Sequence, residues 1–148
     1  MEFEKALELF ANIPFFDEFN LEEKRFLASL DCNLITCKDG ETIIGEGELD
    51  LSLFILLQGS VRVTREKSPG AVLSKLQPGA VFGEISLIRK KPRTTSALAE
   101  GNTVVLKMDG EMIERLNPLL LNKIKNQLIE LLVKRLDEMN DQLQSLAR

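Results

Sequence analysis

Val81-Phe82-Gly83-Glu84-Ile85-Ser86-Leu87-Ile88-Arg89-Lys90-Lys91-Pro92-Arg93-Thr94-Thr95-Ser96-Ala97-Leu98 is the stretch that decides how this chain is read. Gly83 has no Cβ, so the backbone there can come close to a ligand. The apolar residues after Glu84 can form one helical turn, whose unpaired N–H groups are a ready anion site. Nine residues beyond Glu84 stands Arg93, whose guanidinium can hold a phosphate with a forked pair of bonds in a site too dry for a lysine. A carboxylate and a fixed cation at this separation fit a ligand with hydroxyl and phosphate ends. Taken singly, Glu84 and Arg93 read as a surface acid and base, and Gly83 as a turn. The ensemble at its spacing carries the argument.

On both sides of this stretch the chain breaks into short apolar runs: Leu34 to Cys37, Thr42 to Ile44, Leu51 to Leu57, Val61 to Thr64, Val72 to Leu76, Thr95 to Ala99 and Thr103 to Met108. They are punctuated by Asp39-Gly40, Gly45-Glu46-Gly47, Gln58-Gly59, Ser68-Pro69-Gly70, Gln77-Pro78-Gly79 and Glu100-Gly101-Asn102. That rhythm predicts an antiparallel barrel or sandwich whose wall holds both ends of the central stretch. A phosphate cradle works only if its donors are fixed before the ligand arrives.

Helices are expected at both ends. Phe3, Ala6, Leu7 and Phe10 have helical spacing, and Ile13-Pro14-Phe15-Phe16 breaks that helix. A second helix starts at Asn20, with Glu23 in capping-box register, and carries Leu21, Phe26, Leu27 and Leu30. After the strands, Asp109 can cap a short helix through Leu116, and Asn117-Pro118 signals a fresh start, which makes the joint a candidate hinge. From Pro118 onward the pattern is helical and free of glycine. Ile129, Leu132, Leu136, Met139, Leu143 and Leu146 alternate spacings of three and four, the seam of a coiled coil. Leu119, Leu120, Ile124 and Leu128 are expected to pack on the barrel. The expected organisation is a domain over residues 1–117 and a long helix over 118–148.

Composition narrows the function. With 148 residues, 44% of them hydrophobic, 28% charged and a net charge of −4, the chain suits one domain with a sizeable core and lacks the concentrated positive surface of a DNA binder. The basic knot Arg89-Lys90-Lys91-Pro92-Arg93 fits one small anion better than a polyanion. Histidine is absent, which removes histidine triads and most zinc and phosphodiesterase metal centres, so a binding protein is expected and not an enzyme. The start of the chain shows no export signal and no apolar run approaches the ~20 residues of a membrane span, so a cytoplasmic protein without a membrane partner is expected. Cys32 and Cys37, placed on one strand, would point to opposite faces and stay buried free thiols.

The central stretch resembles the phosphate-binding cassette of the cyclic nucleotide-binding domain, found in cAMP receptor proteins, kinase regulatory subunits and cyclic-nucleotide-gated channels. The family pattern of Phe-Gly-Glu, two residues, Leu, a variable loop and Arg followed by small residues falls on Phe82, Gly83, Glu84, Leu87, Arg93, Thr94, Thr95 and Ser96. Gly-Glu-Thr-Ile-Ile, then Gly47, then Leu-Phe-Ile-Leu-Leu-Gln-Gly-Ser-Val-Arg-Val also match the family's β-roll, and the helix, Pro-Phe-Phe and helix opening resembles the start of its domain. The implied fold is α+β, mainly β: an antiparallel β-roll, a jelly-roll-like barrel, with N-terminal helices and a long C-terminal helix.

The resemblance also implies a set of roles. Glu84 would accept the ribose 2′-hydroxyl, Arg93 would pair with the cyclic phosphate, and the N–H groups of Ile85 and Ser86 would complete the cradle beside Gly83. Thr94 would lie against phosphate and base, with Thr95 next to it. Leu87 would move with the turn and couple it to Met112, Ile113 and Leu116, then to the long helix. The ligand would be cAMP, with cGMP close behind because cGMP-responsive relatives often carry a threonine at the position of Thr94. No other cofactor is implied.

In cAMP receptor proteins the corresponding long helix pairs two subunits and lends side chains to the base. Arg135 and Asn140 are polar candidates for that role here, with the choice of residue left open, in an expected homodimer signalling to an effector protein. DNA-binding members continue into a helix-turn-helix domain where this sequence stops, so no nucleic acid is expected as a partner of the chain by itself. Two other readings stay open: a structural dimerisation module of the same fold with an empty pocket, and a truncated transcription regulator.

Overall fold

The computed structural model describes residues 1–67, 71–83 and 91–147. They divide into two compact units, Met1–Arg115 and Leu116–Arg148. The first holds helices α1 (Phe3–Ala11), α2 (Leu21–Ala28) and α3 (Gly110–Arg115). Its strands are β1 (Leu34–Cys37), β2 (Thr42–Ile44), β3 (Leu53–Thr64), β4 (Val72–Leu76), β5 (Val81–Phe82) and β6 (Ser96–Met108). The second unit is helix α4 (Pro118–Leu146). No helix among the described residues is long and apolar enough to cross a membrane.

All strand pairs are antiparallel, in the order β1-β6-β3-β4, with β2 added to β6 and β5 to β3. The path runs from β1 to β4 without closing, so among the described residues the sheet is an open roll and not a complete barrel. Two pairs of expected strands are single long ones: β3 runs through Gln58-Gly59 and β6 through Glu100-Gly101-Asn102, both expected as turns. The register slips where these segments face each other, between Leu56 and Ser60 on β3, so the glycines form a bend within paired strands. Gly59 has φ +90°, and a Cβ there would meet the Asn102 carbonyl oxygen at 2.5 Å and Thr103 Cα at 2.9 Å. Thr103 Oγ1 spans the bend, donating to the Ser60 and Gly101 carbonyls at 3.2 and 3.1 Å.

Leu53 to Leu57 are buried without a break, because this part of β3 is covered on both faces. Phe54 and Leu56 enter a cluster with Ile44, Val61, Phe82, Ala97 and Val105 inside the roll. Successive side chains alternate, so Leu53, Ile55 and Leu57 face the other side, and α1 packs on β3. Phe10, Phe15, Phe16 and Phe19 are all buried and interlock, with Phe10 and Phe16 ring centroids 4.5 Å apart and Phe16 edge-on to Phe19. The phenylalanines of the N-terminal segment are core.

Local end signals act as written in the sequence. The Asn20 side chain accepts from the Glu23 N–H at 2.8 Å and Glu23 Oε1 accepts from the Asn20 N–H at 2.9 Å, a complete capping box. Asp109 caps α3 through the Met112 N–H, and Asn117 caps α4 through the Leu120 N–H with Pro118 at the first position. The cysteine expectation needs correction. Cys32 lies in a turn of 3-10 helix, Asp31–Asn33, and is exposed, because the strand starts only at Leu34; Cys37 is buried, and both are free thiols. On α4, Leu120 and Ile124 are buried but Leu119, expected to be packed, is 63% exposed.

Replacing Gly59 with Ala forces an L residue into a left-handed conformation against backbone. It should destabilise the protein by roughly 1–3 kcal/mol, measured by denaturant unfolding. Parent-like stability would contradict this account of the bend.

Candidate functional site

Three segments meet at Arg93: the end of β5, the loop between β2 and β3, and the approach to β6. The backbone of Arg93 pairs with that loop like a strand residue, its N–H donating to the Glu48 carbonyl at 2.8 Å and its carbonyl accepting from the Gly47 N–H at 2.7 Å. Its side chain, 5% exposed, donates from Nη1 to the Gly83 carbonyl at 2.7 Å and from Nη2 to the Ser52 carbonyl at 2.6 Å. Burying a guanidinium costs several kcal/mol, and these two bonds together with the electrostatic pull of the Asp50 carboxylate offset part of it.

Gly83 is required by that fit. Its φ is +86°, and a Cβ would stand 2.9 Å from Arg93 Nη1, 3.0 Å from the Ser52 carbonyl oxygen and 3.3 Å from the Phe54 ring. Only a residue without a side chain leaves room for the guanidinium. Phe54, whose ring stands 3.3 Å from that added Cβ, pairs with Phe82 across β3 and β5, and the two rings stack with centroids 5.3 Å apart and planes 15° apart.

The Ser52 carbonyl is positioned in turn. Asp50 Oδ1 accepts from the Ser52 N–H at 2.9 Å, closing a tight turn before β3. Lys107, directly opposite Phe54 on β6, places its ammonium 3.5 Å from Asp50 Oδ2 and 6.0 Å from the Phe54 ring centroid. Partial burial pushes the Asp50 carboxyl upward, but its hydrogen bonds from Ser52 and the positive charges of Lys107 and Arg93 outweigh this and hold it below its ordinary value of 3.8.

Of the residues expected in the site, Gly83 and Arg93 are in direct contact. Thr94 follows on an exposed position and Thr95 is half-buried. Ser96 Oγ accepts from the Glu46 N–H at 2.9 Å, a second tie between the same loop and β6. Glu84, Ile85, Ser86 and Leu87, with the expected helical turn, lie outside the described residues, as do Arg89 and Lys90 of the basic knot. Asp50, Ser52 and Lys107 were missed by sequence reasoning. Asp50 two places before Ser52 is a recognisable turn signal, whereas nothing local marks Lys107 as its partner. Among the described residues no group of three His, Cys, Asp or Glu side chains could hold a metal.

The family model for the cyclic nucleotide-binding domain matches residues 34–117, and the chain belongs to that family. It is 33% identical over 87 residues to a cAMP-dependent protein kinase regulatory subunit of Dictyostelium discoideum, a match covering 55% of this chain and 27% of that protein. The chain thus spans only about a quarter of that curated relative. Among solved structures it is similar to a cyclic nucleotide-binding domain from Methylobacillus flagellatus, with a TM-score of 0.73 at 28% identity over 96% of this chain and 82% of that one. It is also similar to the catabolite activator protein of Thermus thermophilus, with a TM-score of 0.68 at 30% identity over 90% of this chain and 63% of that one.

A carboxyl whose pKa is lowered by folding stabilises the fold above its unfolded pKa, and the contribution disappears as the pH falls through the folded value. Asp50→Asn should therefore be less stable than the parent at neutral pH, with the gap narrowing below about pH 4. Thermal unfolding across pH 2 to 7 checks this; parallel curves would mean that the Asp50 charge has no such role.

Proposed function

We propose that this chain is a cyclic nucleotide sensor domain whose phosphate subsite is built on Arg93, and that it is not an enzyme. The observation that supports it best is the buried guanidinium, held by two main-chain carbonyls beside a glycine whose positive φ and close packing disfavour a side chain. A planar cation oriented this way is matched to a cyclic phosphate, and its stem needs no reorganisation when the anion arrives. In this reading Gly83, Glu84, Ile85, Ser86, Thr94 and Thr95 complete the site around phosphate and ribose. The likeness to a cAMP-dependent regulatory subunit favours cAMP over cGMP. The free thiols fit a reducing, cytoplasmic setting.

The same proposal gives α4 a role in output. Ile129, Leu136, Met139, Leu143 and Leu146 are each 58% exposed or more, on one stripe of the helix. Such a stripe fits a coiled coil with a second copy, so the sensor works as a homodimer that passes its state to an effector protein. Leu87, outside the described residues, is the element that links ligand to α3 and onward to α4 in this scheme. A ligand shifts such an equilibrium only by its difference in affinity for the two arrangements.

Calorimetric titration with cAMP and then cGMP should give micromolar or tighter binding to the parent, stronger for cAMP, and at least a hundredfold loss in Arg93→Ala, a charge-assisted pair being about 3 kcal/mol or more in a dry site. Equal binding by Arg93→Ala would remove the phosphate assignment. Sedimentation equilibrium should show a dimer that Leu136→Lys converts to monomer; a monomeric parent would leave α4 to another partner.

A further inference from the structure

Asp50 brings a negative charge close to the positive charge of Arg93. Its carboxylate lies one hydrogen bond from the Ser52 backbone, whose carbonyl takes a bond from Arg93, and it interacts electrostatically with that guanidinium. An anion approaching Arg93 is attracted by the arginine and repelled by Asp50 in the same low-dielectric pocket. Lys107 answers this from the neighbouring strand. Its ammonium crosses the Phe54 ring to stand 3.5 Å from the far oxygen of Asp50.

The two side chains are 30% and 34% exposed, and such a surface pair contributes little to stability, typically ~0–1 kcal/mol. Its field is another matter. Charges at the rim of a dry site act on a buried anion with much less screening than in water. The main chain that carries the tuning charge is also held in place, because Asn33 Nδ2 donates to the Lys107 carbonyl at 2.7 Å and β6 pairs with β3 at this residue.

We infer that Lys107 and Asp50 form a counter-charge pair that sets the anion affinity of the Arg93 subsite, Lys107 cancelling the carboxylate that Asp50 must carry to shape the turn at Ser52. The inference rests on the reading of Arg93 as the phosphate ligand. Neither residue touches the ligand in this scheme. The pair acts on the phosphate alone, so it changes affinity for cAMP and cGMP by the same factor and leaves their ratio unaltered. A structural disturbance of the pocket would move the ratio.

The test is calorimetric titration of the full chain with cAMP and with cGMP, at low and high salt, in the parent, K107Q, K107R, D50N and the D50N/K107Q double variant. K107Q should bind both nucleotides roughly three- to tenfold more weakly at low salt, with a smaller loss at high salt, and K107R should match the parent. D50N keeps an amide oxygen for the Ser52 N–H and loses only the charge, so it should bind more tightly by a similar factor. The double variant should return close to the parent. K107Q binding like the parent at low salt, or D50N binding no better than the parent, overturns the inference. If K107Q does not fold, the sign of the D50N change decides alone. A parent that binds neither nucleotide overturns the reading of the site and this inference with it, whereas a parent that binds while K107Q equals it overturns this inference only.

Discussion

Three segments far apart in the chain are tied together by one buried guanidinium. Arg93 reaches the carbonyl of Gly83 at the end of β5 and the carbonyl of Ser52 at the start of β3, a residue 41 positions away in sequence. The arrangement demands a glycine at residue 83 and a turn closed by Asp50, next to the stacked rings of Phe54 and Phe82. The long pairing of β3 with β6 fixes their relative positions, and the bend at Gly59 lets both strands continue across it. The fold thus supplies the rigidity that the proposed anion site would need.

What the sequence revealed follows from how local the determining physics is. Caps at Asn20, Asp109 and Asn117 act through a bond to a residue three positions on, and each was legible. The aromatic run around Pro14 read correctly as core. The glycines misled, because Gly59 and Gly101 carry the same signal whether the chain reverses or only bends within a paired strand. Val81–Phe82 is too short for any periodicity to show, and only its pairing with β3 makes it a strand. Within the site, Gly83 and Arg93 were legible as a motif. The Asp50–Lys107 pair was not, since it depends on a register set by the whole sheet.

Membership of the cyclic nucleotide-binding family and the geometry around Arg93 support each other from independent directions. The guanidinium is built into the main chain of two neighbouring segments. The apolar stripe on α4 poses a separate question, because a helix with Ile129, Leu136, Leu143 and Leu146 largely exposed is incomplete without a covering surface.

The most direct measurement is a crystal structure of the chain grown with cAMP. The account predicts the cyclic phosphate within about 3 Å of the Arg93 guanidinium, with Glu84 at the ribose hydroxyl and the roll around Gly83, Ser52 and Phe54 preserved. Nucleotide bound elsewhere, or a phosphate that leaves Arg93 out of contact, would contradict it.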